Sequence, residues 1–294
     1  MKKTVFKGIA TALVTPLTAS GVDYDQLGRL IDWQIQEGIN GLVICGTTGE
    51  ASTLTDEEHK AVIGYAVKRA AGRVPIIAGT GSNDTDYAIE LTKTACEMGV
   101  DGVLVVTPYY NKATQNGLVR MFSAVADAAT APVILYNVPS RTGVNIAPKT
   151  VATLADHPNI AGIKEASGNI SQVAEILALA GDKIDVYSGN DDEIVPTLAL
   201  GGKGCISVLS NPLPRKTVAI TDKFFSGDVA GAAALQLELL PLVRALFSEV
   251  NPIPVKAAMA AMGFCEDYLR LPLTPMEDQN RAVLLEQLRK QGVI

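Results

Sequence analysis

The chain has 294 residues, 48% of them apolar and 19% charged, an ordinary composition for a folded protein with one large core or two modest ones. Its net charge of −6 and lack of any basic run exclude a nucleic-acid partner, which calls for a basic stripe. Four scattered cysteines (Cys45, Cys96, Cys205, Cys265) without a CxxC pair, and only His59 and His157 besides, argue against a disulfide framework, a metal cage or a histidine triad.

From the N-terminus, Lys2, Lys3 and Lys7 ahead of Gly8–Val14 have the outline of a short signal peptide. Pro16 cuts that apolar run and Lys7 abuts it, so GIATALV is expected to be a first strand. Asp25–Glu37 sets Leu27, Leu30, Ile31 and Ile35 on one stripe and ends at Gly38, as an amphipathic helix with a glycine cap does. GLVIC from Gly41 follows as the second strand. Thr55 to Glu58 reads as a capping box, and Val62, Tyr65, Ala66 and Arg69 continue at helical spacing. Six further Val/Ile-rich runs begin at Val74, Gly102, Pro132, Ile160, Ile184 and Gly204, with Leu118, Phe122, Val125 and Ala126 marking a helix between two of them. Such short continuous runs belong to strands buried on both faces of a parallel sheet. No strand candidate follows Val208; helices are expected near Pro214–Phe225, Asp228–Ser248, Ile253–Met262 and Glu277–Gln291.

Eight strands alternating with helices predict a (β/α)8 TIM barrel over residues 1–226, with a C-terminal helical extension over 227–294 packed on it. A doubly wound open sheet competes, but rarely holds eight such regular units. No apolar run approaches the roughly 18 residues of a membrane span, so no membrane partner is expected.

Barrel chemistry sits at the C-terminal strand ends. There Lys164 closes the apolar run Ile160–Ile163. Burying an ammonium is costly, and a neutral amine in an apolar pocket is what a Schiff-base lysine requires. The alternative is a lysine paired with Glu165, which strand alternation points the other way. Tyr136 ends the neighbouring strand, either as a proton relay or as a core tyrosine. The Gly46-Thr47-Thr48-Gly49 turn offers hydroxyls and backbone N–H groups to an anion, or is a plain tight turn. Arg141, in a loop bounded by Pro139 and Gly143, either grips a carboxylate or is merely solvated. Tyr109 and Tyr110 are adjacent and point to opposite sides. Gly79-Thr80-Gly81 completes no dinucleotide fingerprint and no P-loop is present. Gly201-Gly202-Lys203-Gly204 is compatible with a phosphate site of a sugar-phosphate barrel.

Three motifs carry a family resemblance: Gly46 to Glu50, Tyr136 to Gly143, and Gly162 to Ser167. In this order they resemble the dihydrodipicolinate synthase/N-acetylneuraminate lyase superfamily, on its synthase side, from about Phe6 to the C-terminus and including Asn251 to Lys256. The resemblance implies that Lys164 forms an imine with pyruvate and that Tyr136, Thr47 and Tyr110 relay protons, Tyr110 reaching across a tight dimer interface. It further implies that Thr48, with the backbone around Thr47, holds the pyruvate carboxylate, that Arg141 binds the carboxylate of L-aspartate-4-semialdehyde, and that Gly189 and Ile206 line the pocket through their backbone. The sialic-acid lyases lack the matching arginine. It implies no metal and no organic cofactor, a cytoplasmic enzyme of lysine and diaminopimelate biosynthesis, and a homotetramer built as a dimer of dimers, dimers also occurring.

Lysine-inhibited members bind lysine in a dimer-interface cleft, whose pattern Asn83, His59 and Tyr109 match. Tyr87, however, stands where sensitive members carry a glutamate for the ligand's ammonium, and Asp56 where some carry a histidine. Loss of that charge-assisted bond, about 1.5–3 kcal/mol, predicts weak or absent lysine feedback. Three other readings remain at this stage. One is another pyruvate aldolase of the superfamily; one is a phosphate-dependent sugar barrel binding near Gly189 and Gly204. The last is a non-enzymatic barrel, which has no need of Lys164, Tyr136 and Thr47 together.

Overall fold

The computed structural model describes residues 2–294. Eight parallel strands form a closed barrel, each paired with the next and the last with the first. They are β1 (Gly8–Ala12), β2 (Gly41–Ile44), β3 (Ile76–Gly79), β4 (Gly102–Val106), β5 (Val133–Asn137), β6 (Ile160–Glu165), β7 (Asp185–Ser188) and β8 (Gly204–Ser207). The helices between them are α1 (Tyr24–Gln36), α2 (Asp56–Ala70), α3 (Thr85–Glu97), α4 (Gln115–Ala128), α5 (Pro148–Leu154), α6 (Ile170–Ala180) and α7 (Ile194–Ala199). The next helix, α8 (Pro214–Phe225), packs on β1 and closes the ring. The capping box is present: the Thr55 hydroxyl accepts from the Glu58 N–H, and the Glu58 carboxylate accepts from the Thr55 N–H.

Alternation along the strands sorts side chains into two cores. The barrel interior holds Ala10, Ala12, Val43, Ile77, Leu104, Ile134, Tyr136 and Ile206. Its lower end is plugged by Phe6 stacked on Tyr187, ring centroids 4.2 Å apart, with the Tyr187 hydroxyl donating to the Phe6 carbonyl. Outward residues such as Leu42, Val103, Leu135 and Ile163 meet the helices in a larger core.

Three local features differ from the expectation. Leu17–Thr18 and Gly21–Val22 form a small antiparallel hairpin, too short to show period-two patterning. The Arg141 loop winds into one helical turn, Pro139–Thr142, started by proline and stopped by Gly143 in the left-handed region. Thirdly, Val229–Leu246 is long and apolar enough by length and composition to cross a membrane. Here it is α9, burying Ala232, Leu239, Leu242 and Leu246, while its Gln236 side chain accepts from the Val195 N–H and donates to the Asp192 carbonyl. Its apolar composition serves packing against α8 and against α11 (Asp278–Gln291); α10 (Ile253–Ala261) lies between α9 and α11 in the chain.

Candidate active site

β6 carries Lys164 into the barrel mouth. Gly162, two residues earlier on the same face, lies against the Tyr187 ring, where a Cβ would come within 3.3 Å. Lys164 therefore stands above a filled floor and is 6% exposed. Its register partner on β5 is Tyr136, and its Nζ lies 4.3 Å from the centre of that ring. Glu165 faces the helices, accepting from the side chains of Asn137 and Gln172 and from the Ser167 N–H. The lysine–glutamate pairing considered from sequence is thus not formed.

Lys164 opens into a cavity of about 180 Å³ lined among others by Thr47, Thr48, Tyr136, Arg141, Gly189 and Asn251. A wider cavity of about 490 Å³ adjoins it, sharing Thr47, Tyr136 and Arg141 and extending to His59, Tyr87 and Tyr109. Gly189 is required by space: a Cβ there would lie 2.5 Å from the Ala166 Cβ and 3.1 Å from the Lys164 Cε.

The turn after β2 is built under backbone strain, with Cys45 at φ 54° and Glu50 at φ 57°, both in the left-handed region. The Gly49 and Glu50 N–H groups close the turn onto the Gly46 and Thr47 carbonyls, whereas those of Thr47 and Thr48 donate to no partner among the described residues. The Thr48 hydroxyl accepts from the Asn251 amide at 3.0 Å, and the Arg141 guanidinium donates to the Asn251 carbonyl at 2.9 Å. One residue of the C-terminal extension thereby ties together a threonine of one strand end and an arginine of another.

Tyr110 is not brought to Lys164; it is 92% exposed, at φ 70°. Ile206 lies in the barrel interior, and Val208, the residue just past β8, lines the cavity.

The dihydrodipicolinate synthetase family model matches residues 5–291. The chain belongs to this family. A chain of Acetivibrio thermocellus named 4-hydroxy-tetrahydrodipicolinate synthase is 55% identical over 294 residues, 100% of both chains. The solved dihydrodipicolinate synthase of Aquifex aeolicus superposes with a TM-score of 0.96 at 46% identity, covering 98% of this chain and 99% of that one. The chloride-inhibited dihydrodipicolinate synthase of Acinetobacter baumannii, solved with pyruvate, gives a TM-score of 0.96 at 44% identity, covering 99% and 100%.

In this member of the dihydrodipicolinate synthetase family Tyr87 lines the wider cavity as part of a hydrogen-bonded cluster. The Tyr87 hydroxyl donates to Asp56 at 2.8 Å, and Lys60 pairs with the same carboxylate at 2.8 Å. Hydrogen bonds from Lys60 and Tyr87 hold the Asp56 carboxyl below the usual range. Burial, then the Asp56 bond, pushes the Tyr87 hydroxyl up to about 12, so it remains a donor. His59 is buried with its Nε2 donating to the Gly79 carbonyl at 2.8 Å, which leaves Nδ1 unprotonated in the neutral ring. The Asn83 carbonyl accepts from the Asn111 side chain.

Two buried acids at strand ends, Asp191 and Glu50, carry no role assigned from sequence. Asp191 accepts from the Val208 and Leu209 N–H groups, and burial raises its carboxyl against the pull of Ser207, those two N–H groups and nearby Lys164. Glu50 pairs with Lys256 of α10. Nothing local to Asp191 marks the Val208 and Leu209 N–H groups as its partners, and nothing local to Glu50 marks a partner 206 positions away.

Proposed function

We propose that the chain condenses pyruvate with L-aspartate-4-semialdehyde to 4-hydroxy-tetrahydrodipicolinate by a class I, Schiff-base mechanism, the first committed step of lysine and diaminopimelate biosynthesis. The observation that carries this reading is Lys164: a buried amine against the Tyr136 ring, beside a turn with two backbone N–H groups that have no acceptor among the described residues. The Lys164 amine attacks the ketone carbon of pyruvate, giving a carbinolamine, which loses water to form the imine. The carboxylate is received at Thr48 and by the backbone around Thr47, whose N–H groups have no acceptor among the described residues. Tyr136, with Thr47, moves the protons that the carbinolamine step requires. Loss of a methyl proton gives the enamine, whose carbon attacks the aldehyde. The amine of the second substrate then attacks the imine carbon, closing the ring and expelling Lys164; one water leaves for the two substrates joined.

Arg141, at the border of the two cavities, favours an aldehyde bearing a carboxylate over a neutral sugar. Self-association belongs to the same reading. Tyr110 completes the relay only if a second copy receives it, and its 92% exposure supports a tight dimer, within a tetramer. The occupied Asp56 and the neutral Tyr87 leave no free carboxylate for a lysine ammonium there, which supports weak lysine feedback. The cytoplasm suits the four free cysteines.

Borohydride reduction in the presence of pyruvate, followed by peptide mass spectrometry, tests the mechanism; a pyruvyl adduct on Lys164 is the expected result. Turnover with aspartate semialdehyde then separates the synthase from another pyruvate aldolase. An intact protein that gives no adduct removes the imine mechanism.

A further inference from the structure

Lys256 and Glu50 form an ion pair in which both side chains are wholly shielded from solvent. Such a pair is a weak source of stability, because the loss of hydration offsets the mutual attraction, and well-packed apolar residues often serve as well. Its position shows another use. Glu50 is the last residue of the strained turn whose Thr47 and Thr48 line the cavity and whose N–H groups at those two residues have no acceptor among the described residues, and a side-chain-bearing residue at φ 57° needs an external hold. Lys256 supplies that hold from outside the barrel. Its Nζ also donates to the Thr15 carbonyl at 2.8 Å, while the Thr15 hydroxyl donates to the Gly49 carbonyl at 2.7 Å. Glu50 and Gly49 are thus pinned side by side, one through its carboxylate and one through its carbonyl. The Glu50 N–H donates to the Thr47 carbonyl at 3.1 Å, so movement of Glu50 is passed directly to the residue that faces the substrate. There is no slack on the other side, since a Cβ at Gly49 would come within 3.1 Å of the Leu13 carbonyl and 3.2 Å of the Cys45 nitrogen.

We propose that Lys256 and Glu50 are positioning residues for the pyruvate-carboxylate turn. The pair keeps Glu50 in the left-handed region, and thereby keeps the Thr47 and Thr48 backbone in place at the cavity. The proposal rests on the reading of that turn as the pyruvate site.

The test is the double variant Glu50→Leu/Lys256→Met, which removes both charges and keeps apolar volume, in the full-length enzyme. Its Tm is expected near that of the wild type, while the KM for pyruvate rises on the order of ten-fold or more, because small misplacements of binding groups are costly. The KM for aspartate semialdehyde, bound at Arg141, is expected to change by less than about two-fold, a split that a general loss of folding does not produce. The companion Glu50→Gly/Lys256→Met, in which glycine accepts the left-handed backbone without strain, is expected to recover part of the pyruvate KM. A folded Leu/Met variant with an unchanged pyruvate KM overturns the proposal. So does failure of both double variants to fold, which would make the pair a stability element. Borohydride trapping on the wild type separates the two levels. A wild type without an adduct ends the site reading as well, whereas a wild-type adduct beside an unaffected variant ends the positioning role alone.

Discussion

At the scale of single residues the contacts around Lys164 give separable expectations. Tyr136→Phe keeps the ring under the Lys164 amine, 4.3 Å away in the wild type, and removes only the hydroxyl. Its kcat should fall roughly 10²- to 10⁴-fold, the range for a lost proton-transfer group, with little change in the KM for pyruvate. A steady-state comparison that shows kcat intact would return Tyr136 to the role of a core tyrosine. Arg141→Lys keeps the charge but loses the planar fork, and with it a charge-assisted bond of about 1.5–3 kcal/mol. The KM for aspartate semialdehyde should rise about ten-fold or more, with pyruvate trapping unchanged. Equal loss for both substrates would show that Arg141 acts through its bond to Asn251 rather than on the aldehyde. Lys164, Tyr136 and Arg141 stand out in the sequence because each is a polar residue at the end of an apolar run or in a short bounded loop. The roles of Asn251, Asp191 and Lys256 do not, even though Asn251 and Lys256 belong to the resembling motif, since what makes them matter is a partner brought near only by closure of the barrel.

Among the elements, the eight strands were legible because each is a continuous Val/Ile-rich run, whereas the Leu17–Val22 hairpin and the single turn at Pro139–Thr142 are shorter than any period that could mark them. The helix Val229–Leu246 shows the limit of composition: Ala and Leu at high density suit either lipid or a protein core, and Gln236, bonded to Asp192 and Val195, tells which it meets here. The β7 end makes the sharpest claim on sequence. Gly189→Ala would place a methyl 2.5 Å from the Ala166 Cβ and 3.1 Å from the Lys164 Cε, an overpacking that typically costs about 1–3 kcal/mol. The variant should show a lower Tm and slower pyruvate trapping. Ala166→Gly in the same chain should recover part of both, as coupled neighbours do. Full activity of Gly189→Ala would mean that Lys164 has room the geometry denies it.

For the whole molecule, the buried His59 sets a pH limit. Burial holds its imidazole below the ordinary value of 6.5 despite the Gly79 bond, so the unfolded chain takes up the proton first. Stability is then full above about 6.5 and declines as pH falls below it. The Tm should drop between about pH 7 and pH 5, and His59→Gln should flatten that part of the curve while leaving the more acidic, carboxylate-driven part. A Tm curve identical in both proteins would assign the decline to other groups. We further propose that residues 1–226 and 227–294 unfold in one transition, because Asn251 and Lys256 of the extension are bonded to Thr48, Arg141, Glu50 and Thr15 of the barrel. The same bonds bear on the order of events during synthesis. Every group assigned chemistry has left the ribosome before the residues that hold the turn and the arginine in place. A growing chain in which Lys164 has the proposed role therefore carries it unarmed from its synthesis until Asn251 and Lys256 have been made and docked, and free pyruvate meets a working pocket only then.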